Sequence, residues 1–173
     1  MDARAFRQAC GRFATGVTVI TAETEDGRLH GMTANAFSSL SLDPPLILVA
    51  VDKNATTHAV LHRAERFVVN ILTTAQRHAA QFFAQKEKTD WTHIALGRTP
   101  SGQRCLEGNL ATLDCQLYPP PLEGGDHTIF VGKVEWVELG EGDPLLFYSG
   151  QLIEPRLHHH LRAPSGPEGA RRD

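Results

Sequence analysis

The sequence predicts a mainly β protein, a β-barrel with helical decoration, and three observations predict it. Short runs rich in β-branched and apolar residues recur at 17–22, 46–51, 67–72, 110–118, 127–139 and 144–148. Glycine, proline, aspartate and asparagine separate these runs, the usual punctuation between strands. No Gly-x-Gly-x-x-Gly follows any of the runs, so a doubly wound dinucleotide fold is not indicated.

Each element follows from local pattern. Residues 3–14 place Phe6, Ala9, Cys10 and Phe13 at helical spacing among Arg4, Arg7 and Arg12, an amphipathic helix ended by Gly16. The strand 17–22 turns at Asp26-Gly27 and returns through 29–36. The apolar run 46–51 is expected to be buried on both faces. Residues 54–62 form a short helix with Asn54 as its N-cap. After the strand 67–72, Thr73 or Thr74 caps a helix reaching about Ala84. The segment 85–108 has weak periodicity and is expected to be a surface excursion with some local order. Pro119-Pro120-Pro121 removes successive N–H groups after the strand 110–118 and is expected to end its ladder pairing. Gly124-Gly125-Asp126 turns the chain into the longest strand, 127–139, and 144–148 is the last. Residues 1–153 are expected to form one domain. Residues 154–173, with Pro155, Pro164, Gly166 and Pro167, are expected to be a flexible tail.

A chain of 173 residues is long enough for one real core. With a net charge of −3 it has no basic footprint for nucleic acid. No apolar run approaches the ~20 residues of a membrane-spanning helix, and the first residues lack the apolar centre of a secretion signal. A cytoplasmic location is expected. Cys10, Cys105 and Cys115 are far apart and form no Cys-x-x-Cys, so neither a zinc knuckle nor a redox pair is indicated.

The most informative stretch is Gly31-Met32-Thr33-Ala34-Asn35-Ala36-Phe37-Ser38-Ser39-Leu40-Ser41-Leu42-Asp43-Pro44-Pro45-Leu46. Its small side chains leave backbone N–H and C=O groups reachable by a ligand. Thr33, Asn35, Ser38, Ser39 and Ser41 add short donors and acceptors that can read a polar ring edge or a phosphate. Taken alone, Thr33 to Asn35 read equally well as an ordinary strand end, and the serines as loop filler. Asp52-Lys53-Asn54-Ala55-Thr56-Thr57 offers a cation and a helix start, both suited to an anion, or else a plain capped helix. In Gly125-Asp126-His127-Thr128-Ile129-Phe130-Val131-Gly132, His127 opens a strand after a tight turn, where its ring can enter a cleft or simply end a turn. His58 and His62 share a helix face without a third ligand in view, so no metal is expected; His158-His159-His160 is given no role. There is no P-loop and no Gly-x-Ser-x-Gly elbow.

Phe13-Ala14-Thr15-Gly16-Val17-Thr18-Val19-Ile20-Thr21, the stretch 31–46, Phe67-Val68-Val69-Asn70-Ile71-Leu72, the stretch 125–134 and Pro144-Leu145-Leu146-Phe147-Tyr148-Ser149-Gly150 together resemble the short-chain flavin reductase family, in order and over residues 3–153. The resemblance implies an FMN-binding split β-barrel with Greek-key topology and a homodimer. It implies hydride transfer from NADH or NADPH to FMN or FAD, with reduced flavin released to a separate monooxygenase. Carried over by position, Thr33, Ala34 and Asn35 line the isoalloxazine. Ser39, Leu40 and Ser41 hold the ribityl and phosphate region, with Lys53, Asn54 and Thr57 nearby. His127 and Tyr148 face the nicotinamide. The segment holding Lys86 corresponds to one that touches the flavin or its nucleotide end. Two departures stand out: Ala36 replaces a residue that often bears a hydroxyl or thiol, and the family's Asp-Lys-Phe is replaced around Lys86 to Trp91. The resemblance leaves a flavin-binding protein without turnover as the alternative.

Overall fold

The computed structural model describes residues Met1–Pro155; the expected tail falls almost wholly outside the described residues. Helix α1 spans Ala3–Cys10 and is followed by β1 (Thr15–Gly16), β2 (Thr18–Glu23), β3 (Leu29–Ala34), β4 (Phe37–Leu42) and β5 (Pro45–Asp52). Next come α2 (Thr56–Leu61), β6 (Arg66–Ile71), one turn of 3-10 helix (Thr74–Gln76) and α3 (Arg77–Ala84). The remainder is β7 (Leu96–Arg98), β8 (Arg104–Leu106), β9 (Ala111–Gly124), β10 (His127–Leu139), β11 (Leu146–Tyr148) and β12 (Gln151–Ile153).

Seven strands form one antiparallel sheet in the order β3-β2-β6-β9-β10-β5-β4. Its two edge strands, β3 and β4, are consecutive in the chain and joined by Asn35 and Ala36 alone. The three residue steps from Ala34 to Phe37 span at most about 11 Å, so the sheet must curl until its edges meet at that link. β3 touches β5 across the gap, and α2 packs against β2, β3 and β5. The result is a barrel split between β3 and β4, the expected fold class.

Inside it lie Ile20, Ala22, Ile47, Val49, Val51, Phe67, Val69 and Phe130, contributed by alternate positions of β2, β5, β6 and β10. A second core forms outside the barrel, where Val17, Val19, Leu72 and Leu145 meet Ala79, Ala80, Phe82 and Phe83 of α3. β2 is therefore buried on both faces. The sequence assigned that property to 46–51, but β5 alternates: Ile47, Val49 and Val51 are buried, while Leu46, Leu48 and Ala50 are partly exposed. The reason is the position of α3, which covers β2 and β3 instead.

Three further expectations are corrected. The first helix stops at Cys10, with Gly11 as its C-cap, and buries none of its residues. Ala55, not Asn54, is the N-cap of α2. The proline triplet does not end β9. Ile129 pairs with Leu122 and Val131 with Tyr118, so the three prolines bulge opposite Phe130 and pairing resumes. They are tolerated because the β6 ladder has already ended at Gln116, leaving β9 with a free edge there.

Candidate functional site

The split in the barrel creates the site. An edge strand turns half of its backbone groups away from its partner, and here β3 pairs only with β2 and β4 only with β5. The bare ribbon read in the sequence is thus two free edges with a corner between them. The Ala36 carbonyl accepts from the Ala50 amide at 3.0 Å, which pins the corner to β5.

Thr33 and Ala34 are anchored rather than free. The Thr33 hydroxyl donates to the Ala80 carbonyl of α3 at 2.6 Å, and the Thr18 hydroxyl donates to the Ala34 carbonyl at 2.7 Å. Both side-chain bonds fix the strand end in place, so what this segment can offer a ligand is backbone. Asn35 is exposed, and its side chain has no hydrogen-bond partner among the described residues. Gly31, two residues before Thr33, lies under the Phe83 ring.

On β4, Ser39 pairs with Ile47 and Ser41 with Leu46, so Leu40 is the extra residue of a bulge. Its side chain stands half exposed. Ser38 donates to the Ser39 carbonyl at 3.0 Å. The Ser39 and Ser41 hydroxyls have no protein partner among the described residues, which leaves a small cluster of unused donors on a free edge.

The third part of the site joins two segments far apart in sequence. Asp52, at the end of β5, pairs with His127 at the start of β10. The Lys53 amide donates to the Asp126 carbonyl at 3.0 Å. Asn54 does not cap α2; its amide and side chain both donate to Asp52 Oδ1, at 2.8 and 3.1 Å. Lys53 is ion-paired with Glu123 across the β9–β10 turn, and the ammonium holds that carboxyl below its ordinary value. His127 Nδ1 lies 2.8 Å from Asp126 Oδ1. The imidazole hydrogen bond holds the Asp126 carboxyl below its ordinary value. A carboxylate only accepts, so Nδ1 carries the proton and Nε2 of the half-exposed ring is left for a ligand.

The remaining candidates are dispersed. Thr57 is 1% exposed and faces inward from α2. Lys86 lines an open cavity of about 650 Å³ that also takes in Gly31, Thr56 and Trp91. Tyr148 lies on a separate three-stranded sheet with β1 and β12, and no described contact joins it to His127. His58 Nε2 is 2.9 Å from the Thr128 hydroxyl, and both His58 and His62 stand edge-on to Phe130. Sequence reasoning missed His30 and Arg104, which share the Lys86 cavity with Lys88. Lys88 and Arg104 fall in the 85–108 excursion, whose weak periodicity gave no signal of its fold.

This donor set fits a flavin. A free-edged ribbon anchored from behind can meet a polar ring edge, and the unused hydroxyls of Ser39 and Ser41 suit a sugar-phosphate arm. Ala36 adds no hydroxyl there.

Comparison with known proteins gives the same answer. The family model described as "Flavin reductase like domain" matches residues 10–154. The reductase component of 4-hydroxyphenylacetate 3-monooxygenase from Thermus thermophilus is 45% identical over 149 residues, covering 83% of this chain and 90% of that protein. An NADH-dependent flavin reductase from Pseudomonas fluorescens is 36% identical over 154 residues, covering 87% and 89%. Among solved structures, the flavin reductase PheA2 superposes with a TM-score of 0.84 at 39% identity, over 91% of this chain and all of that one (100%). The Streptomyces globisporus NADH:FAD oxidoreductase SgcE6, solved with NAD and FAD fragments, superposes with a TM-score of 0.84 at 34% identity, over 92% and 95%. With the split barrel, its free-edged ribbon and these relatives in agreement, the chain belongs to the flavin reductase like domain family.

Proposed function

We propose that this protein is an NAD(P)H-dependent flavin reductase that passes a hydride from NADH or NADPH to FMN or FAD. The observation that carries this reading is the β5–β10 register. It sets His127 beside Asp52 at the end of the strand to which β4 and its unused serines are paired. When bound, the flavin supplies the electron chemistry, and the protein supplies binding, orientation and electrostatics.

The residues divide that work. The backbone N–H of Asn35, on a strand end fixed by the Thr18 and Thr33 hydroxyls, stabilises negative charge on the ring edge. In other enzymes one preorganised donor of this kind contributes roughly 2.7–4 kcal/mol. Ser39, Leu40 and Ser41 seat the ribityl-phosphate arm, with Lys53 and Asn54 at the adjoining corner, while Thr57, buried on α2, does not reach it. His127 positions the pyridine nucleotide through Nε2 and transfers no proton, and Tyr148 contributes to the nicotinamide side.

The assembly we propose is a cytoplasmic homodimer that delivers reduced flavin to a separate monooxygenase. Several relatives are reductase components of such monooxygenases. Phe6 and Phe13 are 58% and 77% exposed, and Leu40 and Leu42 stand out from the free edge, exposed apolar side chains that a second copy could cover. No helix among the described residues is long and apolar enough to cross a membrane.

Following the nicotinamide absorbance of NADH mixed with protein and FMN tests the enzyme reading. Oxidation of NADH that requires both protein and flavin is expected. Tight flavin binding without NADH oxidation would instead make this a flavin store or sensor.

A further inference from the structure

The first turn of α2 reaches back to the strand that carries His127. His58 Nε2 lies 2.9 Å from the Thr128 hydroxyl, and Thr128 is fully buried. Thr128 immediately follows His127, and its ladder partner is Val51 of the inner core, next to Asp52. α2 itself starts just after the Lys53–Asn54 corner. A closed loop of contacts results. The Lys53 amide donates to the Asp126 carbonyl at one end, and the His58–Thr128 bond closes the other.

The His58 ring is held from two further sides. His62, one turn along α2, stands edge-on to it with centroids 4.6 Å apart, and the fully buried Phe130 stands edge-on to His58 and His62 at 5.8 and 5.1 Å. The titratable and charged groups that act on His58 are His62 on its own helix, Glu123 on β9, Lys53 after β5 and Asp52 at the end of β5. No group of three metal ligands forms among the described residues. The ring is therefore engaged by one hydrogen bond and two aromatic edges.

His127 depends on such support. It is the first residue of β10, and strand ends fray more readily than strand centres. Its side-chain partner, Asp126, sits on the same turn and is exposed. That bond fixes the ring relative to the turn, not the turn relative to the rest of the site. The second task falls to the ties from β5 and α2. Of the side-chain ties, the Lys53–Glu123 pair is exposed and weak, whereas the His58 bond ends on a hydroxyl that water does not reach.

We propose that His58 is a positioning residue, which through the Thr128 hydroxyl holds the start of β10, and with it His127, in register with the Lys53 corner. The inference rests on the placing of His127 at the nicotinamide side proposed above, and adds a residue that acts through another.

Steady-state kinetics at saturating FMN test it, with hydrogen exchange as an independent readout. His58→Ala is expected to raise the KM for NADH about threefold with kcat within about twofold, the scale of one neutral hydrogen bond. His58→Gln, which keeps a hydrogen-bonding group for Thr128, is expected to restore the KM. Thr128→Val breaks the same bond from the other side and should match His58→Ala, so one poorly folding variant does not close the test. In a His127→Ala background, His58→Ala should add nothing, because the residue it positions is gone. A merely structural role predicts the opposite: fewer active molecules, hence a lower apparent kcat at unchanged KM, and additive effects in the double variant. Unchanged KM in both His58→Ala and Thr128→Val, or additivity with His127→Ala, overturns the proposal. If His127→Ala alone leaves the KM unchanged, the nicotinamide reading of His127 fails, and exchange at the Lys53 amide decides the brace by itself. Protection lost in His58→Ala and kept in His58→Gln supports it; equal protection in both overturns it.

Discussion

Gly31 and Phe83 occupy one space: a Cβ on Gly31 would lie 2.6 Å from Cε1 of the Phe83 ring. The ring is 1% exposed and belongs to the outer core, so it has little room to yield. The missing side chain lets α3 lie flat on β3, and the same contact sets the height of the ribbon that follows. Gly31→Ala should cost about 1–3 kcal/mol by overpacking. Gly16→Ala, where a Cβ meets nothing within 4 Å, should change stability by less than about 0.5 kcal/mol. Urea denaturation of both variants checks this, and equal midpoints would remove the packing argument.

A buried amide ties the barrel to the β7–β8 hairpin. Asn70 is fully buried; its NH2 donates to the Val19 carbonyl at 2.9 Å, and its oxygen accepts from the Leu106 amide at 2.8 Å and from Asn109 at 3.0 Å. Asn70→Leu keeps the volume but strands those partners, at about 1–3 kcal/mol for each buried group left unpaired. Hydrogen exchange should show the Leu106 amide losing protection first, because its acceptor is gone.

His127 offers Nε2 to a ligand while Asp126 holds Nδ1. His127→Ala should therefore raise the KM for NADH about tenfold, the scale of one hydrogen bond to a charged group. Asp126→Asn frees the tautomer and should produce a smaller rise. Steady-state kinetics at saturating flavin decide it; unchanged KM and kcat in His127→Ala would remove the residue from the site.

Stability should fall on mild acidification. Burial first, and then the neighbouring His62, lower the His58 pKa from 6.5; Lys53 adds a little to this, and Glu123 and Asp52 oppose it without cancelling it. The unfolded chain then binds a proton more readily than the folded one. The stability contribution is fully present above pH 6.5 and is lost as the pH falls from there through the lowered folded value. His30 is shifted in the same direction, chiefly by burial. His58→Gln retains a donor for Thr128 and should flatten part of this dependence. Urea midpoints above and below pH 6.5 measure it, and identical slopes in variant and wild type would exclude His58 as a source.

How far the chain was readable depended on the range of the interaction. β10 emerged with the predicted bounds, 127–139, because its alternation and its preceding turn are local. β2 and β6 were placed within a residue or so for the same reason. The burial of 46–51 was misread because an apolar run does not reveal which face a distant helix covers. Asn54 was read as a cap because Asn suits that place; the nearby Asp52 carboxylate engaged its side chain instead. The prolines of β9 were read as a stop because the early end of the neighbouring β6 ladder is not a local property.

By itself, the sequence determined the kind of chemistry: small hydroxyl and amide residues on an extended run, a lysine after a strand, a histidine after a turn. These are properties of residue type and short spacing, which local sterics and hydrogen-bonding capacity fix. Only the tertiary structure decided that the ribbon has two free edges, that Lys53 meets Asp126, and that Lys86, Lys88 and Trp91 enclose one cavity. Those relationships depend on which strands pair and where the barrel splits, and pairing is settled by burial summed over the whole sheet rather than by any one segment.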